Sequence, residues 1–279
     1  MIQLDAFDAT RLQTARGIVG DLGSVLVAYS GGVDSTLLAK LAMDALGDRA
    51  VAALASSAAY PESEQEAARE LARSLGVRLV EVTTNEVELE AYARNHPDRC
   101  FHCKEELFDT LAPVQRELGL AHLAYGATAD DAGDHRPGHA SAVRRGVRFP
   151  LLEAGMAKSE IRAAARALGL PNWNKPSFAC LSSRIPHGTP VTVAALRQIE
   201  AAEAALKSLG FGQVRVRHHG YVARIEVDAQ QIPKLIAERE RVTAAVREAG
   251  YKFVTADLEG YSTGSLNRTW KPERSAGSS

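Results

Sequence analysis

Cysteine is nearly absent from this 279-residue sequence. There are three, an odd number poorly suited to a disulfide framework. Thiols kept reduced are left with metal binding or reactivity as their chemistry. Aromatic residues are scarce at 6%, which speaks against a surface built to stack nucleic-acid bases. Neither sign of charge is in excess. The formal net charge of −1 offers no global attraction for nucleic acid or an anionic membrane, so a polyanion site has to be a local patch. No apolar run approaches the roughly 20 residues that span a bilayer. The first ten residues, MIQLDAFDAT, lack the basic-then-apolar order of a secretory leader, so the expected location is cytoplasmic. Repeats and low-complexity blocks are missing too, which excludes solenoids and arrays. What remains is 46% hydrophobic and 24% charged, the balance of a globular enzyme with one large or two modest domains.

The most informative stretch is Ser30-Gly31-Gly32-Val33-Asp34-Ser35. It follows Ser24–Tyr29 (SVLVAY), which reads as a short buried strand. It precedes Thr36–Leu46, apolar at helical spacing and closed by Gly47. A loop of small and hydroxylated residues lets backbone N–H groups approach an anion, and the helix N-terminus adds partial positive charge. A Walker A loop would end in Gly-Lys-Ser/Thr, which this one does not.

Beyond it the first half alternates strand and helix. Ala50–Ser56 reads as a strand, and Glu62–Gly76 as a helix with Ala67, Leu71 and Leu75 on one face. Val77–Val82 is a strand, Cys103–Leu118 a helix that Pro113 should kink or break, and His122–Gly126 a short strand. Such alternation implies a parallel sheet with crossover helices on both faces and a ligand at the carboxyl ends of the strands. Asp130–Gly138 is a polar loop, and Ser159–Leu168 a helix with Ser159 as its expected cap. Pro171–Pro190 is irregular chain. The pattern then changes to α-β-β-α-β: Val193–Leu209, Gln213–His218, Tyr221–Asp228, Ile232–Ala249 and Phe253–Leu258, the two alternating strands joined through His219-Gly220 as a hairpin. The fold class expected is therefore α/β, with a small C-terminal α+β domain. The expected domains are 1–188 and 189–270, with a disordered tail at 271–279.

Cys100 and Cys103 stand in Arg-Cys-Phe-His-Cys-Lys, and Cys180 lies in Lys175-Pro-Ser-Phe-Ala-Cys-Leu-Ser-Ser-Arg184. A lone CxxC fits a redox pair, half a metal site or two unrelated thiols. If Cys180 folds back onto the pair, three thiolates could hold a [4Fe–4S] cluster with one iron open. With His102 or His96 they could instead form a zinc site. Otherwise Cys180 is an isolated reduced thiol. Pro176 and Pro186 place it in an accessible loop.

The order of the Ser30–Ser35 loop, the Arg99–Lys104 motif, the Asp130–Gly138 loop and Cys180-Leu-Ser-Ser-Arg-Ile-Pro resembles the LarE-type sulfur transferases of the PP-loop ATP pyrophosphatase superfamily. Val214-Arg-Val-Arg217 and Ala223-Arg-Ile-Glu226 extend the match from about Ser24 to about Asn267. The resemblance implies a fold of the adenine nucleotide alpha hydrolase kind and a two-stage reaction. ATP with Mg²⁺ would adenylate a carboxylate of pyridinium-3,5-dicarboxylic acid mononucleotide, releasing pyrophosphate, and sulfur would then displace AMP. The thiocarboxylate goes to the nickel-pincer nucleotide cofactor of lactate racemase. Implied ATP or AMP contacts are Ser30, Gly31, Gly32, Val33, Asp34, Ser35, Ser56 and Gly126, with Asp34 and Cys180 as catalytic residues.

Family members with a single cysteine aligned with Cys180 sacrifice its sulfur. Those with three are similar to this chain, which implies a [4Fe–4S] cluster on Cys100, Cys103 and Cys180 with bound sulfide as donor. Ala127-Thr128 stands where the family often shows Thr-Asn, with Gly126, Asp130 and Asp131 retained. Arg215 and Arg217 alternate along a strand and share one face, and guanidinium recognises phosphate bidentately. The resemblance makes them, with Glu203, the substrate-phosphate region, and it implies a homo-oligomer, a hexamer by family. On sequence alone they are equally a solvated charged face, and Glu203 a helix-surface residue. His218 and His219 read as hairpin-end residues. The partners expected are the small nucleotide and a sulfide donor, with no nucleic acid and no membrane. A tRNA thiolase, a nucleotide sensor without turnover and an ammonia-using synthetase are the alternatives. The first lacks the expected basic or aromatic surface, steady carboxylate-dependent pyrophosphate release would exclude the second, and the third has no need of Cys180.

Overall fold

The structure is a computed structural model that describes residues 9–131 and 137–262. The expected tail and residues 132–136 of the polar loop lie outside the described residues. In chain order the elements are α1 (Ala9–Asp21), β1 (Val25–Tyr29), α2 (Val33–Leu46), β2 (Ala50–Ser56), α3 (Glu62–Ser74), β3 (Leu79–Thr83), α4 (Glu90–Ala93), α5 (Arg99–Glu117) and β4 (His122–Tyr125). There follow α6 (Pro137–Arg144), α7 (Pro150–Glu153), α8 (Lys158–Ala167), α9 (Val193–Ser208), β5 (Val214–His219), β6 (Val222–Val227), α10 (Ile232–Ala237), α11 (Arg239–Glu248) and β7 (Phe253–Ala256). No helix among the described residues is long and apolar enough to cross a membrane.

The chain divides into two compact units, Met1–Glu86 with Cys100–Phe178, and Val87–Arg99 with Ala179–Ser279. The first is built on a parallel sheet in the order β3-β2-β1-β4. All of β1 is buried, which is why SVLVAY reads as a continuous apolar run instead of an alternating one. Val25, Val27 and Tyr29 pack into one core with Leu37, Leu41 and Ile161. Leu26 and Ala28 face the other side, with Val51, Ala53, Phe108 and Leu111. Helices therefore cover both faces, as the α/β reading requires. From β1 the chain runs to β2 and β3 on one side, then returns to β4 on the other. The strand order thus reverses between β1 and β4, the crevice where such sheets bind ligands.

Several local expectations shift. Helix α2 begins at Val33, so the last residues of the hydroxyl-rich loop already form its first turn. Pro113 sits inside α5 without ending it. An interior proline costs about 3 kcal/mol, and burying Phe108 and Leu111 on the preceding turn recovers roughly 1.5–3 kcal/mol each. In α3 the buried residues are Gln65, Ala68 and Ala72, not the face of Ala67 and Leu71.

The second unit holds a three-stranded sheet, β5-β6-β7, with β5 and β6 antiparallel and β6 and β7 parallel. The expected hairpin turns at Gly220, φ 63°, with His219 opposite Val222. Val214, Val216, Ala223, Ile225 and Val227 pack with Ala202 and Leu206 of α9 and Val242 and Val246 of α11. By the alternation of strands, Arg215, Arg217, Arg224 and Glu226 take the opposite face. The helix expected over Ile232–Ala249 is two helices meeting at Glu238, a break that no glycine or proline marks.

Helix α8 is capped differently from expectation. Ala157 is its N-cap residue, and Glu160 Oε2 accepts from the Ala157 N–H at 2.8 Å, while Ser159 is exposed. Glu160→Ala should therefore cost about 1 kcal/mol in urea unfolding, and Ser159→Ala close to nothing. Equal losses would return the cap to Ser159.

Candidate active site

At the end of β1 the chain turns on Gly31, whose φ of +67° favours glycine. A Cβ there would stand 2.7 Å from the Ala68 Cβ, so space forbids a side chain as well. Ser35 closes the loop. Its Oγ donates to the Gly32 carbonyl at 3.2 Å, accepts from the Ser30 N–H at 3.1 Å and lies 3.1 Å from Ser30 Oγ. Asn172 braces the loop from outside, its Nδ2 donating to the Gly31 carbonyl and to Thr36 Oγ1. Burial pushes the Tyr29 hydroxyl up to about 12, Thr36 partly offsetting it, and that hydroxyl donates to the Ala68 carbonyl at 3.1 Å. The first turn of α2, whose N–H groups have no intrahelical acceptor, then begins. Gly126, just past β4, lies so close that a Cβ on it would be 3.0 Å from the Ser35 nitrogen.

These residues border a cavity of about 340 Å³ within the first unit. Ser30, Gly32, Val33, Asp34, Ser35 and Gly126 are on its wall. Gly31 and Ser56 are not: Gly31 faces Ala68, and Ser56 Oγ is buried with no hydrogen-bond partner among the described residues. The cavity mixes cations and acids. Lys158 Nζ donates to both carboxylate oxygens of Asp34 at 2.5 Å, and its backbone N–H donates to Asp130. Lys175 pairs with Glu64 at 2.9 Å, and Ser57 donates to the buried Glu86 at 2.5 Å. Lys104 stands 4.2 Å over the Tyr125 ring, and Cys103 lies beside it on the same wall. Such a pocket suits a polyphosphate, since its ammonium groups are held by acids that a metal ion can take over.

Cys100, also on α5, is exposed, and none of the three cysteines is in a disulfide. Among the described residues no three His, Cys, Asp or Glu side chains form a metal-holding group.

In the second unit Cys180 opens a short 3₁₀ turn, Leu181–Arg184. Arg184 is fully buried and grips Glu203 with Nε at 2.9 Å and Nη2 at 3.0 Å. Its Nη1 donates to the carbonyls of Ala179 and Cys180. Glu203, 4% exposed, also accepts from the Val216 N–H at 3.0 Å, so it is a core residue and not a surface one. The arginine strand is no solvated face either: Arg215 and Arg217 are 9% and 5% exposed. Arg217 pairs with Glu226 at 2.5 Å and donates to the Ser183 carbonyl. Arg224 shares Glu226 and pairs with Asp257. Arg215 donates to the Val214 carbonyl and lies 5.4 Å over the Tyr261 ring. Among the described residues no carboxylate is within ion-pair distance of it. Burial and the neighbouring Arg184 hold its guanidinium below the ordinary range. His218 points away to Tyr251, its Nδ1 3.0 Å from the hydroxyl, and burial and His219 hold it low.

Sequence reasoning missed Lys158, Lys175, Glu86 and Arg184. Lys158 left one signal: a lysine in the first turn of a helix opposes the helix dipole, and residues that break a local rule tend to be functional. Arg184, in a proline-flanked loop, gave no sign that it would be buried.

Known proteins bear on this geometry. A family model described as NAD synthase matches residues 19–109. An uncharacterized protein of Synechocystis is 42% identical over 93% of this chain and 97% of its own length. Another, of Methanocaldococcus jannaschii, is 25% identical over 85% and 90%. The pyridinium-3,5-bisthiocarboxylic acid mononucleotide synthase of Lactiplantibacillus plantarum is 37% identical over 94% of this chain and 95% of its own length. The chain belongs to the LarE family. Its PP-loop is thus the ATP-using part of an enzyme. In this LarE-family chain, Lys158→Gln should lower ATP-dependent pyrophosphate release about 100-fold. Unchanged release would mean Lys158 serves only to hold Asp34.

Proposed function

We propose that the chain adenylates a carboxylate of pyridinium-3,5-dicarboxylic acid mononucleotide and then replaces AMP with sulfur, making the thiocarboxylate of the nickel-pincer nucleotide that lactate racemase uses. The observation that carries the reading is the Ser30–Ser35 loop on a lysine- and acid-lined cavity at the sheet's switch point, in a chain matched along nearly its whole length by the Lactiplantibacillus plantarum synthase.

In the first step the substrate carboxylate oxygen attacks the α-phosphorus of ATP, and the bond to the bridging oxygen breaks. The pair of electrons leaves with pyrophosphate. The loop N–H groups receive the phosphates, Asp34 would hold Mg²⁺, and Lys158, released from Asp34, offsets the charge gathering on the leaving group. Adenylation turns a carboxylate oxygen, a very poor leaving group, into AMP, a good one.

In the second step a sulfur nucleophile attacks the acyl carbon and the bond to AMP breaks. Cys100 and Cys103, one turn apart on α5, and Cys180 are thiols outside any disulfide that would be the ligands of a [4Fe–4S] cluster, though among the described residues they form no metal-holding group. When bound, the cluster would supply sulfide at its open iron. Where Cys180 itself is the donor, its thiolate forms the thioester. Loss of the Cys180 α-proton then cleaves Cβ–S, leaving dehydroalanine and the thiocarboxylate. Arg215, which has no carboxylate within ion-pair distance among the described residues, is assigned to the substrate phosphate, whereas Arg217 is held by Glu226. The chain acts as a homo-oligomer in this reading.

Cys180→Ala should abolish thiocarboxylate formation and leave pyrophosphate release intact. Loss of both would make Cys180 structural. The intact mass after one turnover separates the donors: a loss of one H₂S marks dehydroalanine, and an unchanged mass supports sulfide held on the cluster. Arg215→Ala should raise the KM for the nucleotide at least about tenfold, with that for ATP within about twofold. Equal rises would remove Arg215 from the substrate site.

A further inference from the structure

Asn95 is the one non-glycine residue among those described with a positive φ, 58°. It is also completely buried. Backbone held in this region costs energy and persists where surrounding structure requires it. Here the requirement is visible. The Asn95 Nδ2 faces three carbonyls, those of Ile185 at 3.2 Å, Pro186 at 2.8 Å and Thr189 at 2.9 Å. Its Oδ1 accepts from Arg99 Nη1, which fixes the orientation of the amide. Its own carbonyl accepts from the Gly188 N–H and lies 3.2 Å from His187 Nδ1.

Two neighbours extend the contact toward Cys180. Arg99 Nη1 also donates to the Ser182 carbonyl at 3.1 Å. The Tyr92 hydroxyl meets Ser182 Oγ at 2.6 Å, with both side chains buried. The Val191 N–H donates to the Ala93 carbonyl. All these residues belong to the second unit. Residues 92–99 therefore grip the chain from Ser182 to Val191, which has no sheet ladder of its own and contains Pro186 and Pro190.

We propose that Asn95, with Tyr92 and Arg99, is a positioning residue for sulfur transfer, holding the turn that carries Cys180. The Cys180 carbonyl shows what is being held. It accepts from the Ser183 N–H at 3.0 Å, from Ser183 Oγ at 2.7 Å and from Arg184 Nη1 at 2.9 Å. Its turn is thus pinned from the Arg184 side by Glu203 and from the Ser182–Thr189 side by Asn95. A sulfur that must meet an acyl carbon gains from a fixed carrier, because misplacement by about 1 Å costs about 100-fold. A hydrogen-bonded clamp supplies that fixity where proline forbids regular structure. Asparagine suits the post because it tolerates the left-handed conformation and still carries two donors and an acceptor.

The inference rests on the assignment of Cys180 to sulfur transfer, and the test separates the two. Asn95→Gly keeps the positive φ and removes the amide. Tyr92→Phe keeps the ring and removes the hydroxyl that meets Ser182 Oγ. In the full chain, thiocarboxylate formed per pyrophosphate released should fall about 10- to 100-fold for Asn95→Gly and less for Tyr92→Phe, with pyrophosphate release within about twofold. In the substrate-free chain, alkylation of Cys180 by iodoacetamide, followed by peptide mass spectrometry, should quicken about tenfold while Cys100 keeps its rate. If Asn95→Gly does not fold, Tyr92→Phe decides by the same two readouts. An unchanged ratio with unchanged Cys180 alkylation overturns the clamp, whatever happens to stability. Wild-type chain that releases pyrophosphate and makes no thiocarboxylate overturns the sulfur-transfer reading instead, and the alkylation rates still judge the clamp.

Discussion

Taking one guanidinium and one carboxylate out of water costs several kcal/mol per ion, and the second unit is organised around recovering that loss. Arg184 is fully buried and Glu203 nearly so. The recovery comes from a two-pronged pair and from the polar groups around it: the Ala179 and Cys180 carbonyls, Ser183 Oγ and the Val216 N–H. These partners lie on the Cys180 turn, on α9 and on β5. One ion pair therefore ties the cysteine-bearing turn to the helix and the arginine strand, and none of the three can move without stranding a charge.

The same economy of charge runs through the cavity of the first unit, with the opposite aim. There the pairs are half-exposed and exchangeable. Lys158 on Asp34 and Lys175 on Glu64 pair charge for charge and keep the pocket near neutrality. Buried pairs fix geometry, and solvent-facing pairs hold a place open. Both kinds occur in one chain, each where its function needs it.

The parallel sheet and its phosphate loop were legible because their signals are local. A continuous apolar strand, a glycine-rich turn and helical spacing sit within about twenty residues of one another, and β1, α2 and β2 appear close to where the pattern puts them. The paired arginines were visible through alternation alone. Their burial was not, because it depends on Glu226 of the neighbouring strand and on Tyr261. Glu203 looked like surface for the same reason, since its partner Arg184 lies 19 residues earlier in an irregular loop. Lys158 and Asp34 are 124 residues apart, beyond any periodicity. Asn95 was invisible: nothing in its neighbourhood announces a left-handed residue, and its carbonyl partners lie about ninety residues on.

The course of the chain between the units has a mechanical consequence for the cysteines. It passes from the second unit to the first between Arg99 and Cys100, and back between Phe178 and Ala179. Cys100 is thus the first residue after one crossing and Cys180 the second after the other. The first crossing runs inside α5, which rises only about 1.5 Å per residue, and the second runs through irregular chain. Of the three links that join the units, the third lying between Glu86 and Val87, two thus have a cysteine within two residues, so a substitution at either of them bears on a thiol as well as on the connection.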